Sequence, residues 1–115
     1  MEVFYPEIEI DHRELNFTGH ADGLIILKDN TSELLEVKTI KSTAMKYGLP
    51  KEEHKLQARL YALGMAEVGG ESRDGLLVMP VKVDRIRYLY IGKDNFRLEE
   101  SIEVLEERTL IETRR

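Results

Sequence analysis

The sequence predicts an α+β fold (mixed α/β), with the elements in the order β-β-β-α-β-β-α. Three observations lead to this prediction. The first forty residues hold three extended apolar runs, and a long helical pattern follows near the middle of the chain. Two further strand-like runs and a second helical stripe come after it.

The first three strands are predicted from β-branched and alternating apolar residues. They read "VFYPEIEI" at 3–10, "LNFTGHADGLIIL" at 15–27 and "SELLEVKTI" at 32–40. The polar turn "KDNTS" joins the second run to the third, which predicts a β-hairpin that turns near residues 29–31.

The first helix is predicted over "KEEHKLQARLYALGMAEV" at 51–68. Pro50 suits the first helical position, and Gly69 with Gly70 ends the helix. Its buried face is predicted to carry Leu56, Leu60 and Leu63.

The second half predicts two more strands, "DGLLVMPV" at 74–81 and "DRIRYLYIG" at 84–92. Asp94 or Asn95 can then cap a last helix. The buried stripe of that helix is predicted to hold Leu98, Ile102, Leu105 and Thr109.

Composition limits the class of protein. At 115 residues, with 42% hydrophobic and 34% charged residues, the chain fits a single globular domain over 1–115 with an ionic surface. The absence of cysteine excludes disulfides, zinc–thiolate sites and iron–sulfur clusters. No apolar run is long enough to span a membrane and no signal peptide is visible, so we expect a cytoplasmic protein without a membrane partner.

Charge is distributed unevenly. The net charge of −5 is unlike that of most nucleic-acid-binding proteins. The segment 38–59 is nevertheless basic, and it holds Lys38, Lys41, Lys46, Lys51, Lys55 and Arg59. A local patch of this kind can bind an anion, although charge alone favours the simpler interpretation of a solvated surface.

The predicted hairpin brings acids and a lysine together. Glu36 and Lys38 are two residues apart and therefore share one face of their strand. Pairing about the turn brings Asp22 close to both of them. Two carboxylates with a backbone carbonyl suit Mg²⁺ or Mn²⁺, and a neighbouring lysine can stabilise developing charge. A simple cross-strand ion pair is the alternative interpretation.

A polar stripe accompanies the predicted leucine face of the first helix. His54, Gln57 and Tyr61 have the spacing i, i+3, i+7 and so lie on a separate face. Such a stripe can contact a site on the sheet or a phosphate backbone, although it also fits a solvent-facing surface with Tyr61 in the core.

Together these segments resemble the PD-(D/E)xK nuclease superfamily. The residues that carry the resemblance are "GHAD" at 19–22, "LEVK" at 35–38 with Thr39, and "EHKLQARLYA" at 53–62. The likeness is closest to the RecB-type and CRISPR-associated exonuclease branch, where a Q-x-x-x-Y helix follows the E-x-K strand. The run "RYLYIGKDN" at 87–95 is also similar to the terminal strand of that branch.

The resemblance implies a restriction-endonuclease-like core with a central mixed sheet, and a Mg²⁺- or Mn²⁺-dependent nuclease that hydrolyses DNA phosphodiester bonds in an exonuclease-like way. DNA repair, phage replication and CRISPR adaptation are settings for such an enzyme. Asp22, Glu36 and the Val37 carbonyl match the metal ligands, and Lys38 matches the catalytic lysine.

The helix motif implies residues that position DNA. Gln57 and Tyr61 match that motif, and His54 has a supporting role on the same helix. We expect a further set of lysines to attract the phosphate backbone electrostatically, namely Lys41, Lys46 and Lys55.

Two departures from the family pattern define alternatives. The family branch usually has a helix before the first strand with a further metal ligand, and we expect this chain to lack it; Glu7, Glu9 or His12 are the available substitutes. The iron–sulfur cysteines of the branch are absent too. The alternatives are a non-catalytic nucleic-acid-binding or assembly module, a homodimeric resolvase or restriction-type endonuclease, and a subunit that a protein partner completes.

Overall fold

The computed structural model describes residues 2–114, apart from the side chains of residues 46 and 47. It contains one mixed sheet of seven strands in the order β5-β4-β1-β2-β3-β6-β7, with two α-helices. The strands are β1 (Val3–His12), β2 (Phe17–Ile26), β3 (Ser32–Ile40), β4 (Gly70–Glu71), β5 (Leu77–Val78), β6 (Arg85–Gly92) and β7 (Leu98–Val104). The helices are α1 (Glu52–Glu67) and α2 (Glu107–Arg114), and a 3₁₀ helix (Ser42–Tyr47) precedes α1. The predicted α+β class is confirmed.

The first half of the chain follows the prediction. β1, β2 and β3 form an antiparallel meander, and β3 then pairs in parallel with β6. The crossover between β3 and β6 contains α1, as a parallel connection requires. α1 packs across β1, β2, β3 and β6, and α2 packs against α1.

The predicted element order is wrong after α1, where the structure adds β4 and, after residue 92, has a strand in place of the predicted helix. The stretch predicted as the last helix forms β7, an antiparallel edge strand on β6. Glu103 of β7 accepts hydrogen bonds from Tyr88 on β6 (2.9 Å) and from Arg59 on α1 (2.8 Å), which hold the strand in place. The only α-helix that follows β7 in residues 2–114 is α2, which begins at Glu107. The predicted strand at 74–81 is reduced to the two residues of β5.

The predicted helix caps are also corrected. Asn95 accepts a hydrogen bond from the Arg97 amide inside the β6–β7 turn (2.9 Å). Asp94 binds Ser42 at the start of the 3₁₀ helix. α1 begins at Glu52 with Lys51 as the capping residue, so Pro50 lies one residue before the cap rather than at the first helical position.

α1 contacts the sheet through small residues rather than through a leucine stripe. Ala58, Ala62 and Met65 are fully buried at helical spacing, whereas Leu56 is 64% exposed. Because alanine side chains are short, the helix backbone lies close to the sheet. Of the three predicted leucines, Leu63 is buried and Leu60 is half-buried.

The core lies between the sheet and the helices. Its sheet residues come from one face of the strands: Ile8, Ile10, Ala21, Leu24, Leu34, Ile86, Tyr88 and Tyr90. On β3 and β6 the residues that face α1 include Glu36 and Lys38, because they pair with Tyr88 and Tyr90. The helix-covered face of the sheet therefore holds the polar residues that the sequence singles out.

Among residues 2–114, no helix is long and apolar enough to cross a membrane.

Candidate active site

The strands β2 and β3 separate at Asp22. Their ladder runs from Ile26 paired with Ser32 to Gly23 paired with Leu35 and ends there. The Val37 amide donates instead to the Asp22 side chain, Oδ2, at 2.6 Å. Because β3 continues along β6 beyond this point, a gap opens between β2 and β3 on the side of Asp22.

A distortion in β2 places Asp22 at this gap. Ala21 and Leu24 are both buried in the core although they are three residues apart, which a regular strand with alternating faces does not allow. On the neighbouring strand β1, Glu7 has a φ of +42°, an unusual value for a residue with a side chain. The observed hairpin register, continued by one residue, places Asp22 level with Glu36.

Glu36 is a buried carboxylate with one oxygen that lacks a partner. Its side chain is 2% exposed, and Oε1 has no hydrogen-bond donor within reach in the described residues. Burial, together with the nearby Asp22 carboxylate, raises the pKa of Glu36 to about 7, although Lys38 acts in the opposite direction. Asp22 and Glu36 are therefore close enough to repel each other when both are ionised.

Lys38 lies beside Glu36 and is held by α1. Its Nζ is 3.8 Å from Glu36 Oε2 and donates to Gln57 Oε1 at 2.8 Å. The side chain is about one quarter exposed, so the ammonium lies at the boundary between the site and solvent.

Tyr61 packs on a glycine of β2. A Cβ added at Gly19 would lie 2.1 Å from Tyr61 Cε1, so the ring occupies the space that a side chain would fill. Burial raises the pKa of Tyr61, and the Glu36 carboxylate acts in the same direction. The Gln57 side chain, through hydrogen bonding, has the opposite effect on that pKa. Tyr61 and Gln57 thus lie together next to the acids.

His54 is tied to Tyr90 rather than to the acids. Its Nδ1 is 2.8 Å from the Tyr90 hydroxyl, and the two rings are 5.5 Å apart. The Lys51 amide also donates to that hydroxyl, at 3.1 Å. Burial lowers the pKa of His54, and the charge of Lys38 lowers it further, which favours the neutral form of the ring.

The three lysines predicted to attract DNA have different environments. Lys41 is exposed at the end of β3. Lys55 donates to Glu52, one turn earlier on α1, at 3.2 Å. The side chain of Lys46 lies outside the described residues.

The proposed substitutes for a further metal ligand are engaged elsewhere. Glu7 lies 3.6 Å from Arg73, and Glu9 lies 3.8 Å from His20. His12 is buried and binds Glu67 at 2.6 Å. Within residues 2–114 there is no group of three or more histidine, aspartate or glutamate residues that could hold a metal ion. The site therefore offers two carboxylates, Asp22 and Glu36, with the predicted Val37 carbonyl.

The structure brings together Asp22, Glu36, Lys38, Gln57 and Tyr61, as the sequence predicts. Gly19, which makes room for Tyr61, and Tyr90, which binds His54, also support the site, and neither is among the predicted site residues. The Gly19 signal is visible in "GHAD", because a glycine inside a strand often marks the close approach of another group. The hydrogen bond between Tyr90 and His54 has no signal in the sequence, since an aromatic residue in an apolar strand normally indicates a core position.

Another cavity lies at the edge of the sheet that β5 and β4 form. It has a volume of about 440 Å³ and is lined by residues of β1, β4 and β5, which include Glu9, Glu71 and Leu77, and by Met79, which follows β5. It contains none of the residues of the candidate site.

Among known proteins, a solved structure is similar to this chain. No family model matches the chain, and no curated protein is similar to it. A solved structure described as "Crystal structure of SSO0001" is similar, with 23% identity and a TM-score of 0.48. The match covers 99% of this chain and 46% of that chain, so this chain spans about half the length of that protein. We draw no functional conclusion from this similarity.

Proposed function

We propose that the protein is a Mg²⁺- or Mn²⁺-dependent deoxyribonuclease that hydrolyses DNA phosphodiester bonds, of the PD-(D/E)xK superfamily. The observation that carries the proposal is the buried Glu36 carboxylate, which has an unpartnered oxygen and lies next to Asp22. A buried carboxylate oxygen without a hydrogen-bond donor destabilises the fold, and proteins retain such groups mainly where function requires them.

The donor set fits a hard divalent cation. Asp22 and Glu36 supply carboxylate oxygens, and the Val37 carbonyl is the further ligand that the resemblance implies. Mg²⁺ is commonly held by one or two protein carboxylates with water in its remaining positions, and the two acids of this site can supply that donor set. When bound, such an ion lowers the pKa of a water and stabilises negative charge on a phosphoryl group.

Lys38 supplies a positioned cation. Its hydrogen bond to Gln57 holds the ammonium near Glu36 and leaves donor capacity for a phosphate oxygen or a water. A preorganised cation of this kind stabilises the charge that develops during attack on phosphorus. Gln57 therefore acts on the reaction through Lys38, and Tyr61 shields the same side of the site.

The direct test is cleavage of single- and double-stranded DNA with Mn²⁺. We expect the wild-type protein to cut DNA and Lys38→Ala to lose activity by at least about a hundredfold, the usual scale for one electrostatic group. Lys28→Ala is the matched control, since Lys28 is an exposed lysine in the β2–β3 turn. Equal cleavage by all three proteins would indicate a contaminating nuclease and contradict the proposal.

A non-catalytic nucleic-acid-binding module is the second candidate. It is favoured by the limited donor set, which has two carboxylates and no third acid or histidine among the described residues. Calorimetry with Mn²⁺ separates the candidates: binding that Asp22→Ala abolishes favours the enzyme, and absence of binding favours the module.

A further inference from the structure

A basic cavity adjoins the candidate active site. Its volume is about 450 Å³, and it lies between the end of β3, the start of α1 and the β6–β7 turn. Its polar lining consists of Thr39, Lys41, Thr43, Lys51, His54 and Lys93. Thr39 follows Lys38 directly in the chain, and Lys38 is close enough to His54 for its charge to lower the pKa of that ring, so the cavity adjoins the site.

The three lysines of this cavity have no ion-pair partner among the side chains that the structure describes. None of the ion pairs found within residues 2–114 involves Lys41, Lys51 or Lys93. By contrast, Lys38 and Lys55 each lie beside a glutamate. In an acidic protein, three lysines without carboxylate partners around one concavity form a local positive field.

Hydrogen bonds fix the walls of the cavity. The Lys93 amide donates to the Ile40 carbonyl at 2.9 Å, which extends the β3–β6 ladder. Ser42 donates to Asp94 from its amide (3.0 Å) and from its hydroxyl (2.6 Å). These bonds hold the backbones next to Lys41 and Lys93 side by side. They also occupy the carboxylate of Asp94, the acid that adjoins Lys93 in the chain.

His54, which lines the cavity, supplies an imidazole N–H donor. The Tyr90 hydroxyl accepts from the Lys51 amide, and we assign its own hydrogen to His54 Nδ1. This assignment places the ring proton of His54 on Nε2, where it is available as a donor. Lysine ammoniums, threonine hydroxyls and an imidazole N–H are all donors to phosphate oxygens.

We propose that this cavity binds a phosphate group of the DNA strand, next to the phosphodiester held at Asp22 and Glu36. The proposal rests on the proposed function for its choice of ligand. Either an internal phosphodiester or a terminal phosphate can supply the group, and a terminal phosphate carries the larger charge at neutral pH.

The test is binding of a fluorescent single-stranded oligonucleotide in EDTA, measured over a series of salt concentrations. Lys41→Gln/Lys93→Gln removes two cavity charges and keeps polar side chains. Lys28→Gln/Lys82→Gln is the control, with the same change in net charge at exposed lysines outside the cavity. Because the proposed ligand is one phosphate group, the slope of log K against log salt becomes shallower by about 0.7 in the cavity variant only.

Oligonucleotides with and without a terminal phosphate distinguish the two sources of the bound phosphate group. If the cavity variant loses affinity only for a 5′- or 3′-phosphorylated strand, the group is terminal. If the loss is equal for strands without a terminal phosphate, it is internal. Inorganic phosphate is expected to compete with the oligonucleotide on the wild-type protein and more weakly on the cavity variant.

Equal affinity and equal slope for both double variants would overturn the inference, as would a wild-type protein that does not bind the oligonucleotide. Because binding is measured without a divalent ion, this outcome is independent of cleavage. Loss of cleavage in Lys38→Ala together with unchanged binding in the cavity variant would leave the nuclease proposal standing and remove the subsite.

Discussion

At the scale of the residue, Glu36 is the side chain of the site whose ionised form destabilises the metal-free fold. Its carboxylate is buried, faces Asp22 and has one oxygen without a donor. A pKa raised from 4.5 to about 7 means that the folded protein binds the Glu36 proton more tightly than the unfolded chain does. This residue therefore stabilises the metal-free fold below pH 4.5 and loses that contribution as the pH rises to 7.

Glu36→Gln is expected to remove this pH dependence. Without metal, the free energy of unfolding of the wild-type protein should fall between pH 4.5 and 7 relative to that of the variant, by an amount on the order of 3 kcal/mol. Urea denaturation of both proteins in EDTA across this pH range measures the difference. If the free energy of unfolding of the two proteins had the same pH dependence, the pKa of Glu36 would not be raised in the metal-free fold.

Gly19 makes room for Tyr61, and Gly19→Ala should displace the ring. We expect the free energy of unfolding to fall by about 1–3 kcal/mol, which is typical of adding a side chain to a well-packed position. In the Tyr61→Ala background the same substitution should cost much less, because the clash is then absent. Urea denaturation of the two single variants and the double variant gives the comparison. Additive effects would mean that Gly19 and Tyr61 do not contact each other.

The residues of the site were predictable because β-alternation and helical spacing are local rules. Glu36 and Lys38 share a face for that reason, as do Gln57 and Tyr61. The distortion at Asp22 was not predictable, since it depends on β1 and on the end of the β2–β3 ladder.

At the scale of the element, β7 shows where local patterns fail. Leu98, Ile102 and Leu105 have helical spacing, yet Leu98 and Ile102 also alternate as in a strand. Pairing with β6 and the contacts of Glu103 select the strand, and neither is visible from the local sequence. The strand places Leu98 and Ile102 on an exposed face and leaves Leu105 buried.

Two substitutions distinguish the strand from the predicted helix. Ile102→Ser should change the free energy of unfolding little, by about 0.5 kcal/mol, because Ile102 is 46% exposed. Leu105→Ala should cost about 2–4 kcal/mol, because Leu105 lies in the core. Denaturation curves give both values. A helix with all these residues on one buried stripe would make the two costs similar.

α1 carries a similar lesson. The spacing of its large leucines predicts a leucine face against the sheet. Instead, Ala58 and Ala62 pack in the core, because the helix backbone lies close to the sheet. The sequence correctly predicts a helix and its polar stripe. The face that packs depends on the separation between helix and sheet, which only the assembled fold defines.

At the scale of the whole molecule, the residues that the candidate site brings together all come from one chain. β2, β3 and α1 contribute Asp22, Glu36, Lys38 and Gln57 without a second copy. The cleavage rate per protein should therefore be independent of protein concentration. A mixture of Lys38→Ala and Glu36→Gln proteins should not recover activity. Recovery in the mixture would favour the homodimeric alternative, with residues shared between copies.

The central claim is that Asp22 and Glu36 hold one divalent ion, and anomalous diffraction from a crystal soaked in Mn²⁺ tests it most directly. We expect a single strong anomalous peak within bonding distance of a carboxylate oxygen from each residue, and no such peak in Asp22→Ala crystals. A wild-type crystal with no peak there, or with a peak that contacts neither carboxylate, would contradict the claim.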